Sequence, residues 1–206
     1  MERDLRAIGL APASEDVERL ATLAALVADR ARTVNLVGPE ETARLWSRHL
    51  LESAAFSLLL DRGLPVVDIG SGAGFPGLVL AVLGYGPTTL LEPRRHRRLF
   101  LLHAVSALGL RDLRVSGDRI EGAGPFAAGT QFTARAVAPP ERLLPAVAAA
   151  CRGEASLVCR IPPGTPVEGP ARWVDLPCPP LDRPGLLVQV RVTAGPGRTS
   201  HAKGSG

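Results

Sequence analysis

Lysine is almost missing from this chain: Lys203 is the only one among 24 basic residues, and arginine supplies the others. Ala, Gly and Pro are correspondingly heavy, and because the bias runs the whole length it reads as the trace of a GC-rich genome rather than as a site. Cysteine is scarce too. Cys151, Cys159 and Cys178 are odd in number and lack Cys-x-x-Cys spacing, so neither a disulfide framework nor a zinc site is expected and reduced thiols are the default. His49, His96, His103 and His201 form no metal-spaced cluster, and no metal is expected. No apolar run reaches the length of a membrane span, and the first ten residues include acids where a secretory leader would be apolar. There are no internal repeats. What remains is a soluble, cytoplasmic chain of 206 residues, 46% apolar and 21% charged, ordinary values for a globular domain. Its net charge of +4 suits a polyanionic partner without requiring one.

What is present centres on Val66-Val67-Asp68-Ile69-Gly70-Ser71-Gly72-Ala73-Gly74-Phe75-Pro76-Gly77. A β-branched run ends at a carboxylate, and a glycine-rich turn then opens into the apolar helix Leu78–Leu83. That is a nucleotide-type loop at the first strand-to-helix turn of an α/β sheet. No Gly-Lys-Ser/Thr follows, which removes P-loop chemistry. Gly72-x-Gly74-x-x-Gly77 also fits a dinucleotide fingerprint, with Glu92 near the position of the ribose-binding acid. Asp68 argues against it, because a carboxylate at the strand tip repels a pyrophosphate lying on the helix N-terminus. S-adenosylmethionine carries no phosphate and brings an ammonium and a sulfonium, to which the acid is attractive directly or through water. The pattern therefore favours a methyltransferase over a nucleotide-linked oxidoreductase.

Two helical segments precede this loop, one from Ser14 through Leu20, Leu23 and Val27 and one from Pro39 through Leu45, His49 and Ser53. After it, strand-like segments at Thr88–Glu92, Leu113–Ser116, Phe132–Ala136 and Ala155–Ile161 alternate with helices at Arg95–Leu108 and Glu141–Ala150. A short strand at Ala171–Leu176 followed by Leu186–Val192 reads as an antiparallel hairpin closing the sheet. The expected fold is α/β, a doubly wound, mostly parallel seven-stranded sheet of the class I S-adenosylmethionine-dependent methyltransferase type. Residues 1–62 would be an N-terminal helical extension packed on the core, 63–193 the methyltransferase domain, and 194–206 a flexible tail.

Several residues admit two readings. Glu92 ends the second strand, where a carboxylate accepts ribose hydroxyls; the alternative is pairing with adjacent arginines. Arg94, Arg95, Arg97 and Arg98 form either a face gripping RNA phosphates or the solvated first turn of an amphipathic helix, although four arginines there oppose the helix dipole. Asp118, Arg119, Ile120 and Glu121 follow the third strand and offer either adenine recognition or a helix cap. At the end of the fourth strand, the Asn/Asp-Pro-Pro-aromatic motif of amino-group methyltransferases is absent, as is the cysteine that pyrimidine C5 enzymes need. Arg135 stands there instead, a fixed cation with donors only. A donor-rich site without a base fits an acceptor atom that already holds a lone pair, such as guanine N7; otherwise Arg135 is a structural ion pair.

The assembled pieces resemble the glucose-inhibited division protein B family. They are Asn35-Leu36, Arg48-His49-Leu50-Leu51-Glu52-Ser53, Asp68 to Leu78, Leu91-Glu92, Arg98 to Leu101, Arg119-Ile120-Glu121 and Ala134-Arg135-Ala136, roughly residues 33 to 137. The resemblance implies a cytosolic, monomeric guanine-N7 methyltransferase of 16S ribosomal RNA, working on the small ribosomal subunit with ribosomal proteins present. It implies S-adenosyl-L-methionine held at Asp68, Gly70, Ser71, Gly72, Gly74, Phe75 and Glu92, with contacts near Asp118 to Glu121, and Arg135 beside cofactor and target nucleotide. The family's Leu-Lys-Gly at the end of the fifth strand is replaced by Cys159-Arg160-Ile161-Pro162, where Arg160 would keep the charge as a fork. Val37 replaces a common threonine. A non-catalytic or diverged RNA- or ribosome-binding module on the same fold is the alternative.

Overall fold

Strands that are buried on both faces and rich in Val, Ile and Leu are what a parallel sheet covered by helices requires. The computed structural model, which describes residues 1–31, 38–165 and 171–193, has such a sheet at its centre. Along the chain, α1 (Glu2–Ala7), α2 (Ser14–Ala31) and α3 (Pro39–Thr42) lead through a π-helical turn (Leu45–Leu50) into α4 (Leu51–Ala55) and a 3-10 turn (Phe56–Leu59). Then come β1 (Val66–Ile69), α5 (Gly77–Val82), β2 (Thr88–Leu91), α6 (Arg95–Ala107), β3 (Leu113–Ser116), a 3-10 turn (Ile120–Gly122), β4 (Gln131–Ala134) and α7 (Pro140–Ala150). The last three elements are β5 (Glu154–Ile161), β6 (Ala171–Leu176) and β7 (Gly185–Thr193).

The sheet order is β3-β2-β1-β4-β5-β7-β6. The first five strands run parallel, β7 is antiparallel to β5, and β6 closes the edge antiparallel to β7. The doubly wound sheet and its terminal hairpin are therefore as the residue pattern predicts. The order reverses between β1 and β4, and ligands of such folds bind outside the carboxyl ends of the strands at that point.

Alternation along the strands separates two cores. Val66 and Val158 face a layer made by α1, α2, α4, α5 and α6, with Leu20, Leu23, Val27, Leu78 and Phe100 among its buried residues. Val67, Ile69, Phe132, Leu157 and Cys159 face α7, packing on Leu143 and Val147. In α2 the buried residues recur at helical spacing, with Glu15 and Asp16 in the first turn and Arg30 in the last, an arrangement that complements the helix dipole. Polar ties join the first 62 residues to the sheet. The Gln131 side chain exchanges hydrogen bonds with backbone N and O of Asp61, at 2.7 and 2.9 Å. Gln189 Nε2 donates to Leu59 O at 2.7 Å. Within the first 62 residues, Trp46 Nε1 donates to Asp4 Oδ2 at 2.8 Å.

Two features depart from the sequence reading. The helix α1 was not expected, and the helix predicted from Pro39 to Ser53 is instead a short α-helix, a π-helical turn and α4. A π turn holds an extra residue relative to α-helical winding and is common at functional sites; here it carries Arg48 and His49. Asn35-Leu36, Val37 and the predicted tail lie outside the described residues. Among the described residues no helix is long and apolar enough to cross a membrane, and no group of three or more His, Cys, Asp or Glu could hold a metal ion.

Candidate active site

The glycine loop is clasped by two carboxylates from neighbouring strand tips. Asp68 pairs in register with Thr133 across β1 and β4, so both side chains point to the face that α5 covers. Asp68 is 0% exposed. Its Oδ1 accepts the Thr133 hydroxyl at 2.9 Å and its Oδ2 accepts Gly77 N at 3.1 Å, which pins the far end of the loop to the start of α5. Burial raises its pKa to about 6, opposed by hydrogen bonds from Ser71, Thr133 and Gly77 and by the Arg135 charge. The acid read from sequence as facing a ligand is thus committed to the loop itself. Glu92, also buried, clasps the near end: Oε2 accepts Gly72 N at 2.9 Å and Oε1 accepts Arg94 N at 2.8 Å. Each oxygen keeps a second lone pair.

Glycine is required in this loop for two different reasons. Gly70 has φ +66° and a Cβ there would stand 2.9 Å from Val137 Cγ2, so both conformation and space exclude a side chain. Gly77 has ordinary backbone, but a Cβ would meet Leu90 Cδ2 at 2.3 Å and Asp68 Oδ2 at 2.7 Å. Leu90 can turn aside; the doubly bonded Asp68 cannot. We expect Gly77→Ala to cost about 3 kcal/mol and to lower the melting temperature by roughly 6–12 °C. Thermal unfolding followed by circular dichroism measures it, and an unchanged transition would contradict the packing described.

Arg97 and Arg98 do not form one outward face with Arg94 and Arg95. Arg98 Nη1 donates to Pro93 O at 2.7 Å and to Glu92 O at 3.3 Å. Arg97 folds over the loop, with Nη1 3.5 Å from where a Cβ on Gly72 would be, and its buried Nε has no hydrogen-bond partner. Only Arg94 and Arg95 are well exposed. Asp118 is exposed and accepts the Ser116 hydroxyl at 2.6 Å; Ile120 is buried in the 3-10 turn that follows.

Arg135 follows β4 across the switch point from the loop. Its Nη2 lies 2.8 Å from His49 Nδ1, and its Nη1 lies 3.1 Å from Arg48 O and 3.4 Å from Glu52 Oε1. Arginine can only donate, so His49 Nδ1 accepts and the ring proton sits on Nε2, which donates to Glu41 Oε2 at 2.8 Å. Burial, reinforced by the Arg135 charge, lowers the His49 pKa to about 4, and the ring is neutral at physiological pH. Phe75 of the loop is held between these groups: it stacks with His49 at 5.4 Å and lies 5.2 Å from the Arg135 guanidinium. Phe75 thus joins the loop to the His49–Arg135 pair.

Arg160 reaches the same place from β5. Its Nε lies 2.8 Å from Glu52 Oε2, an ion-pair distance without hydrogen-bond alignment, and Nη2 donates to Pro184 O at 3.0 Å. Buried Glu52 is thus shared by Arg135 and Arg160. The sequence reading placed Arg135 and Arg160 at the site but missed Glu52, His49 and Glu41 as the groups that aim them. For His49 and Glu52 the signal was the Arg48-His49-Leu50-Leu51-Glu52-Ser53 run; Glu41 lies outside it. The loop can hold a phosphate-free, cationic cofactor, because two carboxylates flank a loop that a pyrophosphate would have to share. Beside it the arginine cluster presents a donor-rich pocket.

The family model described as rRNA small subunit methyltransferase G, GidB, matches residues 16–156. The ribosomal RNA small subunit methyltransferase G of Thermobifida fusca is 43% identical over 122 residues, covering 59% of this chain and 52% of that protein. The protein of the same name from Gluconobacter oxydans is 40% identical over 130 residues, covering 63% and 66%. The chain thus spans about half the length of the first and two thirds of the second. Among solved structures, a SAM dependent methyltransferase from Aquifex aeolicus superposes with a TM-score of 0.52 at 17% identity, over 73% of this chain and 93% of that one. The M. jannaschii TYW2 protein in complex with AdoMet gives 0.55 at 10% identity, over 69% and 74%. These two share the fold.

Proposed function

Because this chain belongs to the rRNA small subunit methyltransferase G family, we propose that it transfers a methyl group from S-adenosylmethionine to N7 of a guanine in 16S ribosomal RNA. It does so as a cytoplasmic monomer acting on the small ribosomal subunit. S-adenosylmethionine, when bound, supplies the methyl on a sulfonium that needs no further activation. Glu92 and the backbone of Gly70, Ser71, Gly72 and Gly74 would hold it, with Asp118 to Glu121 near its adenine. Asp68 acts through the loop, which it keeps closed on α5.

The observation that carries the N7 reading is the state of the groups around Arg135. His49 gives its lone pair to Arg135 and its proton to Glu41, and Glu52 is buried between two arginines. Neither is free to take a proton from an exocyclic amine. Guanine N7 already carries the attacking lone pair and asks only for donors and alignment, which Arg135 supplies from a position fixed on three sides. Arg94 and Arg95 extend the basic surface toward RNA.

Calorimetric titration with S-adenosylmethionine, with NADH as control, followed by methyl transfer to purified small subunits and mapping of the product, tests the reading. Binding of NADH alone would replace it with an oxidoreductase; cofactor-independent RNA binding without transfer would replace it with a binding module. Arg135→Ala should lower turnover on the order of 100-fold, as loss of alignment does, and leave S-adenosylmethionine affinity nearly unchanged. Full activity in that variant would remove Arg135 from the chemistry.

A further inference from the structure

The crevice beside Arg135 carries more positive charge than the protein neutralises. It has a volume of about 230 Å³ and is lined by Arg48, His49, Glu52, Arg135, Ala136, Arg160 and Arg183. Arg44 and Arg48 stand behind it, both paired with Glu41 and with Asp182. Five arginines therefore meet three carboxylates, with His49 neutral, and two positive charges are left over. Arg183 is the conspicuous one: exposed, at the rim, and with no ion pair or hydrogen bond among the described residues.

The crevice is also built rather than incidental. Arg160 lies flat where Gly185 has no side chain; a Cβ there would stand 2.7 Å from Arg160 Nη2. The connection between β6 and β7 is tied down by Asp182 to Arg44 and Arg48 and by Pro184 O to Arg160. This places Arg183 at the mouth. At about 230 Å³ the space is below the roughly 300–1,000 Å³ of pockets that enclose whole ligands. It suits one charged group of a larger molecule. Guanidinium forks match the paired oxygens of phosphate. Arg160, Asp182 and Arg183 all lie beyond residue 156, where the family match ends.

We propose that this crevice seats a backbone phosphate of the RNA, adjoining the nucleotide that receives the methyl, with Arg183 and Arg160 as its contacts; the proposal rests on the RNA reading above. The β6–β7 connection thereby becomes part of the substrate site. It fixes the nucleotide by its phosphate while Arg135 meets the base.

The test measures binding of a small-subunit rRNA fragment against salt concentration for the wild type, Arg183→Ala and Arg183→Lys, with methyl transfer assayed in parallel. Arg183→Ala should bind about tenfold more weakly, with a log–log salt slope shallower by about 0.7, the contribution of one phosphate on a single strand. Arg183→Lys should keep the slope. Inorganic phosphate should compete with RNA for the wild type and lose that effect in Arg183→Ala. A wild-type protein that transfers methyl groups, with slope and competition indifferent to Arg183, would overturn the pocket and leave the proposed function standing. Phosphate binding at Arg183 without RNA binding or methyl transfer would overturn the function and, with it, RNA as the source of the phosphate.

Discussion

Asp68→Asn should leave the protein at least as stable as the wild type at pH 7, whereas Asp68→Ala should cost about 2–4 kcal/mol. Alanine strands the Gly77 N–H and the Thr133 hydroxyl in a dry site and leaves a cavity between β1, β4 and α5. Asparagine can turn its oxygen to Gly77 N and its amide to Thr133, whose hydroxyl accepts as well as donates. It also removes a charge that burial makes costly. With a native pKa of about 6 against an ordinary value of 3.8, the native carboxyl binds a proton that the unfolded one has lost between those values. Raising the pH from about 4 to about 6 therefore weakens the fold, by a total of about 3 kcal/mol. Asparagine has no such slope. Urea midpoints of the two proteins should accordingly diverge between pH 4 and pH 7, with asparagine ahead. Parallel curves would mean that burial leaves the carboxyl unshifted, and an asparagine variant as damaged as alanine would mean that the carboxylate charge itself supports the loop. S-adenosylmethionine affinity separates the same alternatives: if Asp68 acts by holding the loop, asparagine retains binding and alanine loses it.

Removing Glu52 should be more destructive. Its buried carboxylate lies between Arg135 and Arg160, and Glu52→Ala leaves two half-buried guanidiniums without their shared counter-charge. Breaking a buried pair in this way costs about 3–5 kcal/mol, or roughly 6–20 °C in melting temperature for a chain of this size. The Arg135 pKa is already lowered, first by burial and also by Arg160, with Glu52 the largest opposing influence. Adding Arg160→Met to Glu52→Ala should recover part of the loss, since one of the two opposed charges is gone. A double-mutant cycle reads this directly. Strictly additive costs would show that the two residues do not interact, contrary to the 2.8 Å separation.

The loop, the strands and the closing hairpin were legible because they depend on local pattern: glycine spacing, β-branched runs, and proline-rich breaks. Side-chain direction was legible only in part. Asp68 shares its face with Val66 by simple alternation, but nothing local says that α5 returns to cover that face and leave the acid dry. Arg97 and Arg98 stand four and three residues before Leu101, so helical spacing already turned them toward the buried side; the run of charge concealed it. The π turn at Leu45–Leu50 could not be read, because α-helical spacing describes that segment equally well and its contacts with α2 and with Arg135 come from outside the segment. The crevice was invisible for a related reason. Asp182 reaches Arg48, and Arg183 joins the same crevice, only after the chain has passed through six of the seven strands.

That last fact bears on how the molecule comes into being. Leu59 O waits for Gln189, 130 residues later, and Arg44 and Arg48 wait for Asp182. During synthesis the glycine loop and β1 to β3 can assemble from sequence-near neighbours. The arginine crevice acquires its outer wall only when β7 has inserted between β5 and β6. Contacts of such sequence separation form late and slowly. The glycine loop and its strands can therefore close before the crevice does, and on the proposed reading it is β7, following the β6–β7 connection, that completes the surface meeting the RNA phosphate.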